Sequence, residues 1–506
     1  MTQAQALAIL KTGANVFLTG EPGSGKTHTI NQYVVYLRER GIEPAITAST
    51  GIAATHLGGV TIHSWSGIGI KTKLDPYELD RISTNEYLVR RISRAKILII
   101  DEVSMLLPEV LSGIEAICRE IRRREEPFGG LQVILVGDFF QLPPVAKIED
   151  GLEPSARFAF AASSWADLNS VVCYLTEQHR QNDGDFLSVL SAIRSAAVGE
   201  EHRAHLKKRK IEAASAPATT LKLFSHNADV DRLNNEMLSK LPGQPCVFKM
   251  TSVGSDAVVA ALKKGCLSPE RLELKIGAAV MFTKNNPRAG FWNGTLGTVL
   301  GFNKETGQPV VKTRDGERLE VEAADWSVEE RGRIRGQITQ VPLRLAWAIT
   351  VHKSQGMSLD EAVMDLSEVF EFGQGYVALS RVRSLNGLYL LGWNERTFQV
   401  HPEILTKDEA FRQASTSAEA AFAKISPVEL KKMHSNFVTA CGGKRWSGFK
   451  KIREKYENAY KPWDEEQDKK LRELFGCNMS VADMAKMFGR KTGAIRSRLA
   501  KLGLME

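Results

Sequence analysis

The sequence predicts an α/β protein with two lobes, each built around a parallel sheet. In residues 1–183, short apolar segments typical of buried strands alternate with amphipathic segments typical of helices, the pattern of a parallel sheet covered by helices. A second region of this kind begins near Asp185 and is split into about 184–240 and 342–400. At 506 residues, the chain has room for three or four domains, so further modules are expected beside the two lobes.

Four strands are predicted in the first lobe, at 15–19, 44–48, 96–100 and 132–136. Each is followed by a polar or glycine-bearing turn. Ligands of open parallel sheets bind beyond the carboxyl ends of the strands, so we expect the chemistry of this protein in these turns. A smaller excursion at about 66–90 interrupts the alternation with turn-forming residues, namely Gly67, Gly69, Asp75 and Pro76.

The turn after the first predicted strand matches the phosphate-binding pattern G-x-x-x-x-G-K-[ST]. Its glycines let backbone N–H groups face phosphate oxygens, and the start of the following helix adds a partial positive charge. We therefore predict a nucleotide site in which Lys26 reaches the β- and γ-phosphates and Thr27 holds Mg²⁺. The residues of this site are Gly20, Glu21, Pro22, Gly23, Ser24, Gly25, Lys26, Thr27 and, at the helix start, His28.

Carboxylates and an amide follow two further predicted strands. Asp101 and Glu102 end the apolar run 97–100; Asp101 is predicted to accept the Mg²⁺ shell through water, and Glu102 to polarise the attacking water. Gln141, after strand 132–136, is placed to sense the γ-phosphate and orient that water.

Phosphoryl transfer also needs cations that gather charge in the transition state. Arg180 and Arg381 lie outside the phosphate loop and are candidates for arginine fingers supplied across a cleft. Each arginine, taken alone, is also typical of a surface ion pair.

The composition is that of a soluble globular protein, with 43% hydrophobic and 25% charged residues. The sequence contains no apolar stretch of about 18 residues and no secretion signal, so we expect no membrane span and a cytoplasmic location, nucleoid-associated in a prokaryote. The six cysteines are scattered without a C-x-x-C pair, which argues against a zinc site and fits a reducing compartment.

The net charge of +8 is concentrated at one end of the chain. Residues 401–506 carry 21 Lys/Arg against 14 Asp/Glu, whereas the first 400 residues hold 46 against 45. A basic region on a near-neutral body favours an anionic polymer as partner, with a solvated basic face as the alternative.

Three modules beyond the two lobes are predicted from local sequence pattern and composition. Residues 272–340 alternate apolar runs with glycine turns, which predicts a small antiparallel barrel. Residues 403–461 are polar and basic and predict a helical extension with a linker. Residues 462–506 predict three helices, with Ser480 and Thr492 as caps of the second and third. The polar side of the third helix favours DNA contact over docking of a protein partner; its basic residues are Arg490, Lys491, Arg496 and Arg498.

A series of segments, in order over about residues 1–400, resembles the motifs of superfamily-one helicases. Residues 2–5 resemble the adenine-reading glutamine motif, and 47–54 and 59–65 resemble the early DNA-contact motifs. Residues 101–105, 137–144, 348–356 and the segment around Arg381 match later motifs. Residues 127–130 are similar to the signature of the petite-integration-frequency (PIF) helicases, relatives of RecD. The chain starts almost on the glutamine motif, so we expect no long regulatory region before it.

The resemblance implies an ATP-dependent helicase that moves 5′→3′ on single-stranded DNA. It implies two RecA-like motor domains, at 1–183 and 184–402, with a strand-separating wedge at 66–90, an SH3-like barrel at 272–340 and a Myb- or helix-turn-helix-like module at 462–506. It implies ATP and Mg²⁺ as cofactors, and single-stranded, duplex or forked DNA as partner of a monomer.

Particular residues also take roles from the resemblance. Gln5 is expected to read adenine, Gly356 to belong to the nucleotide site, and Arg180 and Arg381 to act as the two arginine fingers. Bases are expected to stack on aromatic groups, with Trp65, His63, Phe139 and Trp292 as candidates, although such rings are also typical of a core. The expected DNA contacts are Thr50, Gly51, Thr61, His63, Ser64, Trp65, His352 and Lys353.

Four alternatives share parts of this pattern. An RNA translocase or a RecD-like subunit of a nuclease complex would use the same engine, although the sequence shows no nuclease carboxylate cluster. A DNA-binding adaptor that uses ATP as a clamp switch would not need the complete motif set. A small-molecule kinase would need neither the late motifs nor the basic end.

Overall fold

The computed structural model describes residues 1–56, 59–69, 74–144, 157–177, 183–215, 220–284, 286, 289–291, 294–314, 316–330, 333–355, 359–444, 456–458, 463, 465–477, 479–502 and 504–505. The chain forms two compact units. The larger unit comprises residues 1–35 and 43–431, and the smaller comprises residues 36–42 and 432–506. No helix in these described ranges is long and apolar enough to cross a bilayer.

The first lobe of the larger unit is a six-stranded parallel sheet in the order β3-β2-β4-β5-β1-β6. The four predicted strands are present, and the prediction missed the two edge strands, one of which is only two residues long. The strands are β1 (Val16–Gly20), β2 (Ala45–Ala48), β3 (Val60–Thr61), β4 (Ile97–Asp101), β5 (Gln132–Val136) and β6 (Val171–Leu175).

Helices pack on both sides of this sheet. Leu111, Ile114 and Ile117 on one face of the helix Pro108–Arg122 are fully buried in the lobe's core, as expected for an apolar stripe at helical spacing. The helices are α1 (Gln3–Leu10), α2 (Lys26–Arg38), α3 (Gly51–His56), α4 (Ile62–Ser66), α5 (Pro76–Ser83), α6 (Glu86–Arg94), α7 (Pro108–Arg122) and α8 (Ser163–Asp167).

The excursion predicted at 66–90 forms the helix pair α5 and α6. Asp75 and Asn85 cap these helices by accepting hydrogen bonds from backbone N–H groups of the first turn. Ile82 and Ile92 are buried in the core that α7 also lines. The excursion is therefore anchored to the first lobe, and its role as a wedge stays a prediction.

The second lobe is a four-stranded parallel sheet in the order β18-β7-β19-β20. It is discontinuous in sequence, as predicted, because the strands on either side of the insertion pair with one another. Its strands are β7 (Lys222–Phe224), β18 (Ala348–Thr350), β19 (Ala362–Leu366) and β20 (Leu388–Trp393), and its helices are α9 (Gly184–Arg194), α10 (Glu200–Lys207), α11 (Asn227–Lys240) and α13 (Gln374–Leu379).

The insertion in the second lobe is antiparallel, as predicted, but it begins earlier than residue 272. Strands β8 and β9 pair with strands inside the predicted range, and α12 packs on β16, so residues from 246 onward belong to it. Its sheets run β10-β8, β14-β13-β12-β11-β17 and β15-β16-β9. The elements are β8 (Cys246–Lys249), β9 (Thr251–Gly254), α12 (Asp256–Gly265), β10 (Arg271–Leu274), β11 (Ala279–Phe282), β12 (Leu296–Phe302), β13 (Pro309–Thr313), β14 (Arg318–Glu320), β15 (Ala324–Glu330), β16 (Arg333–Gln340) and β17 (Leu343–Leu345).

Two helices follow the second lobe, α14 (Pro402–Ala423) and α15 (Pro427–Ala440). The Ser415 hydroxyl on α14 accepts a hydrogen bond from Tyr174 N at 3.0 Å, and Phe411 packs against Phe17 and Phe139. The start of the predicted 403–461 extension is thus part of the larger unit, because its apolar face is needed to cover the first sheet.

The smaller unit contains the predicted helical module. Ser480 caps its second helix as predicted, whereas Thr492 lies within the third helix rather than before it. Met484, Ile495 and Leu499 form its core with Leu471. The three helices are α16 (Glu465–Gly476), α17 (Val481–Met487) and α18 (Thr492–Lys501).

Two of the four basic residues predicted to face DNA are instead used inside this module. Arg490 is buried, lies 4.2 Å from the Trp463 ring and donates to Gln467. Arg498 forms a two-point ion pair with Asp468. Arg490, just before the third helix, and Arg498 within it are therefore structural, which sequence spacing could not show.

Candidate active site

The phosphate loop connects β1 to α2, as the motif requires. Gly20 and Gly25 have φ of +146° and +88°, values that residues with a side chain rarely adopt. A Cβ at Gly20 would also lie 2.6 Å from the Leu175 carbonyl oxygen. The Lys26 ammonium donates to the Gly20 and Glu21 carbonyl oxygens at 2.7 and 3.1 Å. Loss of solvation lowers the pKa of Lys26, and the nearby Asp138 carboxylate opposes this shift.

Helix α1 brings a glutamine to the phosphate loop, but it is Gln3 rather than the predicted Gln5. The Gln3 amide donates to the Ser24 carbonyl at 3.2 Å. The Gln5 side chain closes a capping box with Thr2 and donates to Glu419 at 2.8 Å. The sequence did not single out Gln3, because only tertiary packing brings helix α1 to the phosphate loop. Adenine reading by Gln5 stays a prediction.

Asp101 and Glu102 lie at the carboxyl end of β4, as predicted. Loss of solvation raises the pKa of Asp101 to about 7, with the Glu102 charge adding to the shift. The pKa of Glu102 is also raised by desolvation, against the positive charges of Arg381 and Lys26. Glu102 has φ +52° and ψ +43°, a left-handed backbone that is uncommon for a glutamate and frequent at functional sites.

A side chain from the second lobe reaches this carboxylate. The Gln355 amide donates to Glu102 Oε2 at 3.2 Å and to Gln141 Oε1 at 3.4 Å. Gln355 is 7% exposed, and its own Oε1 is buried without a hydrogen-bond partner among the described residues. The sequence analysis placed 348–356 in a motif but did not single out Gln355. The position of Gln355 shortly after a buried strand could have marked it as a candidate site residue.

Arg381 also approaches from the second lobe, just after α13. It is 3% exposed, and its guanidinium donates to the Val377 carbonyl and the Ser380 hydroxyl at 2.9 and 2.8 Å. Its charge is the largest of those that oppose the raised pKa of Glu102. The role of Arg381 as an arginine finger stays a prediction. Arg180 and Gly356 lie outside the described residues.

A buried ion-pair network joins the two lobes beside this site. The Arg194 guanidinium, on α9, donates to both carboxylate oxygens of Asp138 at 2.8 and 2.9 Å. It also donates to the hydroxyls of Tyr376 and Tyr174 at 3.1 and 2.7 Å, and it contacts Asp408 of α14 at 3.4 Å. Sequence reasoning missed this arginine, because nothing local distinguishes it from a surface residue.

The predicted DNA contacts of the first lobe cluster at α3 and α4. Thr50 and Thr61 accept backbone hydrogen bonds near the starts of these helices, and Gly51 and Ser64 are exposed. His63 is half-buried, and burial lowers its pKa.

Two of the predicted stacking rings are in the core instead. Trp65 is 4% exposed and Phe139 is 5% exposed, which contradicts base stacking by either ring in this structure. Apolar packing decided the outcome, since both rings fill space beside the first sheet. Of the remaining candidates, His352 is half-buried in the second lobe. Trp292 and the side chain of Lys353 lie outside the described residues.

The fold and the site together define a P-loop ATPase whose nucleotide site is completed by a second α/β lobe, the architecture of nucleotide-driven motors. The family model described as "PIF1-like helicase" matches residues 2–200, and the model described as "DNA helicase Pif1, 2B domain" matches residues 259–302, inside the insertion. The chain belongs to the PIF1-like helicase family, whose named members are ATP-dependent DNA helicases.

Individual relatives agree with this assignment. The ATP-dependent DNA helicase Pif1 of Psychrobacter sp. (strain PRwf-1) is 38% identical, over 99% of this chain and 87% of that protein. The solved Pif1 helicase of Candida albicans is 31% identical with a TM-score of 0.72, over 81% of this chain and 98% of that one. A Pif1 helicase from Bacteroides, solved with ADP-AlF3 and single-stranded DNA, is 31% identical with a TM-score of 0.65, over 81% and 96%. The predicted resemblance and the two-lobed motor fold are confirmed.

Proposed function

We propose that this protein is an ATP-dependent DNA helicase that moves 5′→3′ along single-stranded DNA and separates duplex or forked DNA. The observation that carries the proposal is the contact of Gln355 with Glu102 and Gln141, because it makes the hydrolytic site depend on the position of both lobes. The ligands of the Bacteroides relative, a nucleotide analogue and single-stranded DNA, support the choice of substrates.

The oxygen donors of the site fit a magnesium ion. The buried hydroxyl of Ser24 has no partner among the described residues. Desolvation and the Glu102 charge raise the pKa of Asp101, a shift that a bound cation would oppose. Mg²⁺ prefers such oxygen ligands together with phosphates. Thr27 and Asp101 would hold it, and when bound it would neutralise phosphate charge.

The protein's own groups then perform the reaction. Lys26 exchanges its two loop carbonyls for the β- and γ-phosphates of ATP, a change that places its charge where the transferred group gathers electrons. Glu102, with its raised pKa, accepts the proton of the attacking water. Gln141 and Gln355 orient that water from the two lobes. Arg381, with Arg180 as a second finger, stabilises the charge of the transition state.

Lobe closure links this chemistry to movement. ATP held by Lys26 of the first lobe and Arg381 of the second would keep the two lobes together, and hydrolysis would release them from one another. DNA held through its phosphates across both lobes is gripped alternately, so each cycle gives a step without sequence choice. The anchored helix pair α5–α6 is our candidate for the wedge that splits the duplex ahead of the motor.

Strand displacement tests the proposal directly. Duplexes with a 5′ tail, a 3′ tail or both are incubated with the protein, ATP and Mg²⁺, and the released strand is measured. We expect release only when a 5′ tail is present. A Lys26→Ala variant should lose ATP turnover and strand release while keeping affinity for single-stranded DNA. ATP turnover that is equal with and without DNA, with no strand released, would refute the proposal.

Two further points can be tested with the same protein. Comparison of ATPase stimulation by single-stranded DNA and RNA separates a DNA helicase from an RNA translocase. We propose that the protein is monomeric in solution, and sedimentation measures its oligomeric state. Because one solved structure is described as two coordinating Pif1 helicases at forked DNA, sedimentation is carried out both without DNA and with a forked duplex. For a protein that acts on chromosomal DNA, we expect a cytoplasmic location, associated with the nucleoid if the source is a bacterium.

A further inference from the structure

The start of helix α13 in the second lobe lies directly against the turn of the first lobe that carries Gln141. Gly373, the residue before α13, approaches the backbone of this turn closely. A Cβ at Gly373 would lie 2.5 Å from the Phe140 carbonyl oxygen and 3.0 Å from the Gln141 carbonyl oxygen. A side chain does not fit at these distances, so glycine lets the two lobes meet backbone to backbone beside the hydrolytic site.

The candidate finger arginine is fixed to the same helix. The Arg381 guanidinium donates to the Val377 carbonyl oxygen, within α13, and to the Ser380 hydroxyl, directly after it. Arg381 is therefore held in place by α13 and moves with it. A shift of α13 against the first lobe would change the distance between Arg381 and Gln141.

One buried arginine holds both sides of this contact. Arg194 Nη1 donates to the Asp138 carboxylate on one side and to the Tyr376 hydroxyl of α13, at 3.1 Å, on the other. The Asp138 carbonyl oxygen accepts from the backbone N–H of Gln141 at 3.1 Å, and the Arg194 guanidinium carbon lies 3.9 Å from the Phe140 ring centroid. Asp138, Arg194 and Tyr376 are each at most 3% exposed. Charge-assisted hydrogen bonds are strong where water is excluded, so this contact has little freedom.

We propose that two residues of this network, Arg194 and Tyr376, here called the latch, are positioning residues for ATP hydrolysis. The latch sets the distance between Gln141 in the first lobe and Arg381 in the second. It acts through the groups that touch the nucleotide, because a misplacement of about 1 Å at such groups can slow a reaction about 100-fold. This inference rests on the proposed function, since it assumes that Gln141 and Arg381 serve hydrolysis.

Removal of single hydroxyl groups separates positioning from stability. Arg194 itself is unsuitable for replacement, because its loss leaves the buried Asp138 carboxylate without compensation. Tyr376→Phe keeps the ring and removes the contact with Arg194. With saturating single-stranded DNA, this variant should lower the kcat of the ATPase about tenfold and leave the KM for ATP unchanged.

Tyr174→Phe is the matched control for the lost hydroxyl. The Tyr174 hydroxyl also accepts from Arg194, at 2.7 Å, and from Arg412 at the same distance. Tyr174 belongs to β6, which carries none of the predicted site residues. Tyr174→Phe should therefore lower the urea midpoint at least as much as Tyr376→Phe while leaving kcat unchanged.

A steric variant tests the backbone contact. Gly373→Ala should force Phe140 and α13 apart by about 1 Å and lower kcat at least as much as Tyr376→Phe. Gly41→Ala is the matched control, because Gly41 has the same φ of +76°, and a Cβ there would meet none of the described atoms within 4 Å. Both alanines carry the same backbone strain, and Gly41→Ala should leave kcat unchanged.

Each other outcome overturns the latch. Equal losses of kcat in Tyr376→Phe and Tyr174→Phe would mean that the network acts only through stability, and an unchanged kcat in Tyr376→Phe would mean that hydrolysis does not depend on it. A raised KM for ATP with unchanged kcat would assign Tyr376 to nucleotide binding. If Gly373→Ala unfolds, Tyr376→Phe decides alone, because phenylalanine fills the same space.

Failure of the latch is distinguishable from failure of the proposed function. If the wild-type ATPase is not stimulated by single-stranded DNA, the proposed function fails. If it is stimulated and Tyr376→Phe has the wild-type kcat, only the latch fails.

Discussion

Replacement of Arg194 by methionine is expected to destabilise the larger unit strongly. The Asp138 carboxylate is fully buried, and Arg194 is 3% exposed. Without the guanidinium, the Asp138 carboxylate keeps, among the described residues, the hydrogen bond from the backbone N–H of Phe140 at 3.2 Å. Methionine keeps most of the side chain's apolar volume, so the loss isolates the charge and its hydrogen bonds.

The magnitude follows from the burial of the pair. Removal of one partner of a buried ion pair costs about 3–5 kcal/mol, because the other charge remains without compensation. This corresponds to a factor of about 150–5,000 in the unfolding equilibrium. Asp138→Asn combined with Arg194→Met removes both charges and should recover at least half of the loss. Arg203→Met is the control at an exposed ion pair, since Arg203 donates to both carboxylate oxygens of the exposed Glu395. Its loss should cost no more than about 1 kcal/mol.

Urea unfolding, followed by tryptophan fluorescence, measures these differences as changes in midpoint. The wild type, Arg194→Met, Asp138→Asn and the double variant form a double-mutant cycle, from which the coupling between Arg194 and Asp138 is obtained. A loss below about 1 kcal/mol for Arg194→Met, or losses that add without coupling, would show that the network contributes little and refute the argument.

Three further results are expected. Glu102→Gln should bind ATP normally but hydrolyse it about 10²–10⁴-fold more slowly, measured by single-turnover kinetics; near-normal hydrolysis would remove Glu102 from its role. Burial between the Phe158 and Phe372 rings, with the Arg157 charge, lowers the pKa of His401. The unfolded state therefore binds the proton first, so the free energy of unfolding should fall as the pH drops through about 6.5. Urea unfolding at pH 7 and pH 5 measures this fall, which should be smaller for the His401→Asn variant. Deletion of residues 432–506 should preserve DNA-stimulated ATPase activity but weaken fork binding. The dependence of the binding constant on salt concentration, measured in titrations, should become shallower; an unchanged dependence would mean that this region does not contact DNA phosphates.

Local sequence predicted the parts of the site that one strand and its following turn build. The phosphate loop, the paired carboxylates and Gln141 each follow a short apolar run, and a buried parallel strand leaves few alternatives for such a run. The excursion at 66–90 and the second lobe's interruption could be predicted for the same reason, since turn residues and apolar runs are local properties.

Burial was harder to predict than secondary structure. Trp65 lies in a segment that resembles a DNA-contact motif, yet its ring is in the core. Arg490 and Arg498 have the spacing of a basic helix face, yet they pair within the helical module. A side chain's exposure depends on which elements pack beside it, and periodicity gives only the face on which it lies.

The sequence by itself predicted a phosphate loop at residues 20–27, because backbone turns and strand ends follow from neighbouring residues. Its resemblance to helicase motifs implied the two RecA-like motor domains. Only the tertiary structure decided that Gln355 meets Glu102, that Arg194 pairs with Asp138, and that Phe370 stays exposed beside two histidines. The first two contacts join residues that are 253 and 56 positions apart. Packing of whole sheets and helices sets such distances, and no local pattern encodes them.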